Sequence, residues 1–560
     1  MASAALVLVS GIILFFIVYH LYAKWFDQKI IQVDPEKSTP ARTYLDGVEF
    51  FPTNKNILFG FQFKGIAGLS PVVGPIVAIM WGWLPALLWI LLGNIFIGWV
   101  HDYMSTMVSV RNEGQSFGPL SYRLISSRTR KLLLLFIVFY LILLAAAFTA
   151  LGAGLLKANV LVGVPTIFVL AAALLVGHMI YKMKMNPVNA TVIGLVLIAV
   201  GLYIGSNVPV SIADINIWII FILAVCIIAA TTPIYSLTQP ALYMFFYVVY
   251  FTLVALVLAL IVKNPAYVRP AYAGFIVGPE NFPLWPMMFV TIACGSISGW
   301  HSLVSSSATA KQIEKETDVR PVSVGAMFSE GLLALLALSI VAILTAKEAT
   351  ALGAPAAIFS KSGASILGGS PVAQALVGLM FIGLTLGLML LAMRIARLAL
   401  SELAGDAIPP LKNRYISAIA FSIIVFLLAS PSVGATWIYI WVLFGGSNQL
   451  MAGLALWIAT LWLVETKKPW IITGIPGVFM IVTTIAALIF ASYGVLTKGM
   501  VFLAKGETVK AGGNLIAGVI GVTLVIAALI MCVDIYNAYG RLKTKATKKA
   551  VAAADGGKES

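Results

Sequence analysis

Gly60-Phe61-Gln62-Phe63-Lys64-Gly65-Ile66-Ala67-Gly68-Leu69-Ser70-Pro71-Val72-Val73-Gly74-Pro75 lies inside an apolar run long enough to cross a bilayer. It reads poorly as one continuous helix. Pro71 and Pro75 each remove a backbone donor, and the glycines stabilise a helix weakly. A broken helix at membrane depth is tolerated where its freed backbone lines a protein-enclosed cavity. The free amides of a half-helix then suit an anion. The same residues also suit a Pro-kinked helix with small-residue packing contacts. A second interruption recurs at Gly295-Ser296-Ile297-Ser298-Gly299-Trp300-His301-Ser302-Leu303-Val304-Ser305-Ser306-Ser307-Ala308-Thr309.

The rest of the chain supplies the bilayer context. Of its 560 residues 61% are hydrophobic and 10% are charged, with a mean hydropathy of +1.01. Soluble domains carry roughly 25% charged residues. So much apolar surface does not fit one water-soluble core, which excludes a cytosolic enzyme, a secreted disulfide scaffold and a disordered chain. The net charge of +15 reads as cations in cytoplasmic loops rather than a nucleic-acid surface. Cys226, Cys294 and Cys532 are scattered in apolar runs without a metal-ligand spacing.

Fifteen membrane segments are expected: 4–22, 58–82, 84–110, 132–156, 160–180, 188–206, 214–231, 241–263, 284–310, 323–346, 372–400, 415–429, 436–463, 470–495 and 514–536. With the N-terminus outside, 28 of the 36 Lys and Arg residues fall in inside segments, Lys64 among them. The first run, Ala4 to Tyr22, is preceded by no cation and followed by Lys24 and Lys29, the flanks of a retained helix rather than a cleaved leader. The two Gly-rich interruptions fall in the second and ninth segments. Their odd offset makes them antiparallel, as inverted repeats require. That fits seven-plus-seven helices, or a five-plus-five LeuT-like core with one inserted hairpin.

Polar groups at membrane depth mark candidate sites. Asn94, Gly98, His101 and Ser105 share one helical face, with Asp102 beside it. His101 and His301 each lie ten residues before a cytoplasmic cation, Arg111 and Lys311. That places each ~15 Å deep, near the midplane. Each could exchange a proton or simply hold neighbouring helices together. Ser298, His301, Ser302, Ser305 and Thr309 share a second face, whose hydroxyls suit Na+, a carboxylate or helix packing. Phe444-Gly445-Gly446-Ser447-Asn448-Gln449 places an Asn-Gln pair among apolar residues, where it caps a cavity wall or bonds a neighbouring helix. Glu330, Glu402 and Asp534 read as solvated groups near helix ends.

These stretches resemble the carbon starvation protein A family of prokaryotic inner-membrane transporters. The likeness rests on Ile66-Ala67-Gly68 with Gly74-Pro75, His101-Asp102, Thr291-Ile292-Ala293-Cys294-Gly295 into Ser298-Gly299-Trp300-His301, Ser305-Ser306, Lys311-Gln312 and Phe444-Gly445 with Asn448-Gln449-Leu450. They occur in order across about residues 58–465. Ser307-Ala308-Thr309 departs from the family pattern of a Gly followed by Thr or Ser. The resemblance implies membership of the amino acid–polyamine–organocation superfamily, inverted repeats, and uptake of peptides or pyruvate, with proton coupling in pyruvate carriers.

The sequence thus predicts an all-α polytopic protein of the bacterial inner membrane. Residues 1–57 are expected to form an N-terminal helix and cytoplasmic loop, 58–283 and 284–540 two transport repeats, and 541–560 a basic, disordered tail. The expected function is secondary import of a small carboxylate, pyruvate or a short peptide, with a co-transported proton or Na+. A channel and an intramembrane enzyme are rivals, although no Gly-x-x-x-x-Gly-Lys-Ser/Thr motif points to a pump. Candidate substrate contacts are Gly68, Ser70, Gly74, Ser298, Ser305, Asn448 and Gln449. Candidate ion-coupling residues are His101, Asp102, His301, Ser306 and Thr309. No cofactor, resident metal or nucleic-acid partner is expected.

Overall fold

A computed structural model describes residues 2–433, 437–441 and 443–556. Its elements are helices apart from a two-residue hairpin pairing Ile276–Val277 with Phe282–Pro283. Among the described residues, eleven helices are long and apolar enough to cross a membrane, or twelve if the bent pair from Lys55 to Trp81 is one span. The fifteen expected segments all contain helix, but by that measure fifteen spans are not reached. Ile215–Thr231 and Arg414–Ala429 are shorter apolar helices, and the stretch after Leu284 is interrupted.

Both interruptions are real breaks. Lys55–Ile66 ends at Ala67, and a second helix starts at Ser70, bent by 47° from the first. Phe289–Thr291 ends at Ile292, and helix resumes only at Gly299, running through Thr309. Between them the backbone of residues 292–298 is unwound. The two broken helices lie antiparallel. Gln62 Nε2 donates to Ser305 Oγ (3.1 Å) and Cys294 N to Ser70 Oγ (3.4 Å), so partner numbers fall as residue numbers rise. Gly74 lies within the helix after the first break. A side chain there would sit 2.5 Å from Thr291 O, so glycine lets the two backbones cross.

An order of elements recurs. The first broken helix is followed by Trp83–Val110, a short helix Phe117–Leu124, the long Ser127–Ala158, then Ile215–Thr231 and Thr238–Lys263. The second is followed by Glu316–Ala342, the short helices Ala346–Leu352 and Pro355–Ile366, the long Pro371–Ala404, then Arg414–Ala429 and Phe444–Glu465. The packing repeats as well: Thr238–Lys263 lies on the first broken helix as Phe444–Glu465 lies on the second. Within the first series Gly163–Tyr181 and Pro187–Asn207 form an inserted hairpin. Pro187 starts its second helix, where a missing N–H is harmless, and Asn186 Oδ1 accepts from Val188 N (2.9 Å). The pattern is therefore five plus five with an insertion. Ala4–Ile31, Ile471–Ala504 and the final helix stand outside it. The final helix runs from Thr508 to Gly556, so the described part of the basic tail is helical rather than disordered.

One end of the bundle is tied by ion pairs. Arg111 reaches Glu316 through Nε and Nη2 (3.0 and 2.9 Å) and donates to Ile31 O (3.1 Å). Arg42 pairs with Glu314 (2.8 Å) and Arg123 with Glu465 (2.6 Å). These groups all belong to segments the cation distribution places inside.

Candidate functional site

The breaks free backbone groups inside the protein. Several of the carbonyls are claimed by side chains. Lys64 Nζ donates to Ala67 O (2.6 Å), Trp300 Nε1 to Gly65 O (2.7 Å), and Asn94 Nδ2 to Gly295 O (2.6 Å). Gln449 Nε2 donates to Phe289 O (2.8 Å), and Trp89 Nε1 reaches Phe289 O and Ile292 O (3.1 and 3.3 Å). The amides of Gly68, Leu69, Ala293 and Gly295 donate to no other described group.

A cavity of about 480 Å³ opens beside both breaks. Leu69, Ser70, Val73 and Gly74 line it from the first broken helix, and Val290, Thr291 and Ala293 from the second. Trp81, Trp441 and Phe444 complete an apolar wall. Its rim includes Ala354–Ala356 and Phe282, on segments placed outside by the cations, opposite the Arg111–Glu316 face.

Behind the second break lies a buried chain of ionisable groups. His101 Nδ1 is 2.8 Å from Asp102 Oδ1, and His301 Nδ1 is 2.9 Å from Asp102 Oδ2. His301 Nε2 lies 2.9 Å from Glu330 Oε2, within ion-pair distance though not in hydrogen-bond alignment. All four side chains are fully buried. Asp102 thus joins the two histidines that the sequence offered as alternatives. Gly98 makes this possible: a side chain there would sit 2.3 Å from Ser296 O, so the helix Trp83–Val110 lies directly on the unwound segment.

Two members escaped the sequence reading. Glu330 is not a solvated helix-end group but fully buried, facing His301. Counting ten residues from Arg320, as for the histidines, would have found it. Lys64 is not a cytoplasmic cation. It is fully buried, its ammonium folded onto the first break. Asp534 is likewise not solvated: it is 8% exposed and paired with Arg128 and Thr129.

The other candidates separate. Ser70 and Gly74 line the cavity. Gly68 does not; its Cα faces Leu388 and Phe148. Asn448 and Gln449 lie behind the wall and brace the second break. Asn448 Oδ1 accepts from Trp300 N (3.0 Å), Ser298 Oγ (3.2 Å) and Tyr140 OH (3.0 Å). Ser305 accepts from Gln62, Thr309 donates to Gln62, and Ser306 donates to Ser302 O (2.8 Å), so the hydroxyls offered for Na+ each brace a helix contact. The Cys294 thiol, His301 and Glu330 have donor atoms within 4.8 Å of one another. Cys294 Sγ is bonded to Ser298 Oγ (3.1 Å) and Asn448 Nδ2 (3.4 Å), and no metal is assigned to the group.

Comparison with known proteins agrees with this architecture. A family model described as Carbon starvation protein CstA matches residues 3–374 and 368–487. The Peptide transporter CstA of Bacillus subtilis strain 168 is 28% identical over 589 residues, covering 95% of this chain and 96% of its own. The Pyruvate/proton symporter BtsT of Escherichia coli K12 is 32% identical over 353 residues, covering 60% of this chain and 48% of its own. A manganese transporter from Eremococcus coleocola, solved with an aromatic bis-isothiourea compound, superposes with a TM-score of 0.50 at 12% identity, over 89% of this chain and 99% of that one. That likeness is one of fold.

Proposed function

From membership of the carbon starvation protein CstA family, to which this chain belongs, we propose that it imports a small carboxylate nutrient, pyruvate or a short peptide, by proton symport. It is a multi-pass membrane protein with transporter relatives. The observation that carries the reading is the cavity's position, against both helix breaks and in front of the His101–Asp102–His301–Glu330 chain.

Substrate carboxylate is held at the amides of Leu69 and Ala293 and the Ser70 hydroxyl. The proton is held between His301 and the two carboxylates flanking it. With Lys64 cationic and Asp102 and Glu330 anionic, the buried set carries one excess negative charge. One added proton neutralises it, which a low-dielectric site favours. Ala293 lines the cavity and Cys294, next in the chain, leads by Ser298 to the helix carrying His301. Occupancy of either site thus biases the other, the content of symport.

The N-terminus is placed outside, and residues 58–283 and 284–540 act as the two transport repeats, the second carrying two additional helices. A substrate panel in proteoliposomes under an imposed pH or Na+ gradient tests the reading. Full uptake without Na+ is expected. Uptake strictly dependent on Na+ and indifferent to His101→Gln and His301→Gln would overturn proton coupling.

A further inference from the structure

Polar groups at the cavity are few. Leu69 and Ala293, whose amides donate to no described group, line it together with Ser70, whose hydroxyl accepts from Cys294 N and keeps its own hydrogen available. Thr291 spends its hydroxyl hydrogen on Met287 O (2.8 Å). No acidic side chain is among the described lining residues, and the sequence from Ser432 to Gly446, which supplies the aromatic wall, contains none. Behind the lining, the carbonyls of Ala67, Gly295, Ile292, Gly65 and Phe289 are taken by Lys64, Asn94, Trp89, Trp300 and Gln449. The ammonium of Lys64 already occupies the first break.

A carboxylate entering this cavity finds hydrogen-bond donors. A peptide brings in addition an α-ammonium, which would be desolvated without a counter-charge. The space beyond the donors is apolar, walled by Val73, Val77, Met80, Trp81, Trp441 and Phe444, and a three-carbon acid fills only a small part of about 480 Å³. Each methylene buried there strengthens binding about fourfold.

We propose that this cavity selects monocarboxylates that lack an ammonium group and carry an apolar tail, so that branched 2-oxo acids bind more tightly than pyruvate and free peptides bind poorly. This rests on the carboxylate-transport reading and narrows it.

The test is competition against labelled pyruvate uptake in proteoliposomes containing the full chain, with binding checked independently by thermal stabilisation of the purified protein. Glycylalanine and N-acetylalanine form a matched pair, differing only by the ammonium. We expect N-acetylalanine to compete at least tenfold better than glycylalanine, and 4-methyl-2-oxopentanoate about sixtyfold better than pyruvate if all three added carbons are buried. Glycylalanine equal to or better than its acetylated partner would overturn the proposal while leaving transport intact. So would pyruvate binding with no response to the longer acids. If no carboxylate or peptide is bound or transported, the proposed function itself fails.

Discussion

The two broken helices interrupt their hydrogen bonding in the same membrane layer, but they are supported very differently. The first break spans only Ala67–Leu69 and is met by two buried groups, Lys64 and Trp300; its outer rim faces the cavity. The second leaves residues 292–298 unwound and is stitched by Asn94, Trp89, Gln449, Asn448 and Ser298. The longer break needs more partners because every freed buried carbonyl must find a donor. The partners came with it, and so did the ionisable chain through His301. In the proposed function the short, lightly supported break offers its amides to substrate. A long, braced one holds charge in fixed geometry.

The largest effect expected from that division is at the charged side. Asp102→Asn removes the group shared by both histidines. Breaking a buried pair costs ~3–5 kcal/mol, enough to reduce accumulation driven by a pH gradient more than a hundredfold. Exchange of labelled for unlabelled substrate should persist, because the cavity is untouched. Normal accumulation in this variant would detach the ionisable chain from coupling and erase the contrast between the breaks.

A steric pair gives the next largest effect. Gly98→Ala pushes a methyl against the Ser296 carbonyl at 2.3 Å, a backbone atom that cannot swing aside. A loss of ~1–3 kcal/mol is expected, read as a lower melting temperature of the purified protein. Gly68→Ala meets Leu388 Cδ1 at 2.6 Å and the Phe148 ring at 2.9 Å, side chains that can shift. Its penalty should be the smaller of the two. A reversed order would mean that the second break is the softer one.

Asn448→Ala sharpens the contrast at lower cost. It deprives Trp300 N of its acceptor and removes the bonds to Ser298 and Cys294. About 1–3 kcal/mol of stability should be lost, with pyruvate affinity changed by less than about twofold. A selective loss of affinity at unchanged melting temperature would move Asn448 into the binding site.

The interruptions were legible because Pro and Gly act through the backbone, and a sequence displays them directly. The histidine depth was legible from helical rise. What stayed hidden was which way each polar group turns. Gly74, placed by sequence at a free-amide site, is helical and serves a crossing. Asn448 and Gln449 were grouped with the cavity because they are polar among aromatics, yet the aromatics line it and the amides face away. Lys64 looked like a loop cation because a charge near a helix end usually snorkels. Burial became tolerable through a carbonyl freed three residues later, a partner that exists only once the helix has broken. Glu330 was hidden by the choice of helix start.

The crossings have a mechanical consequence. At Gly74 and Thr291, at Gly98 and Ser296, and at Gly299 and Asn448, backbone meets backbone with no side chain between. Parts seated this way behave like keys in keyways and cannot slide past one another. The outer half of the first broken helix, the helix Trp83–Val110, the second broken helix and Phe444–Glu465 are thereby locked into one unit. The inner half, Lys55–Ile66, is padded instead: Gly60 faces Phe246 and Tyr243, and Gly65 faces Val304, Leu391 and Leu242. What joins that half to the second broken helix is side chains, Gln62 with Ser305 and Thr309 and Trp300 with Gly65 O, which unlike a backbone crossing can re-form in a new register.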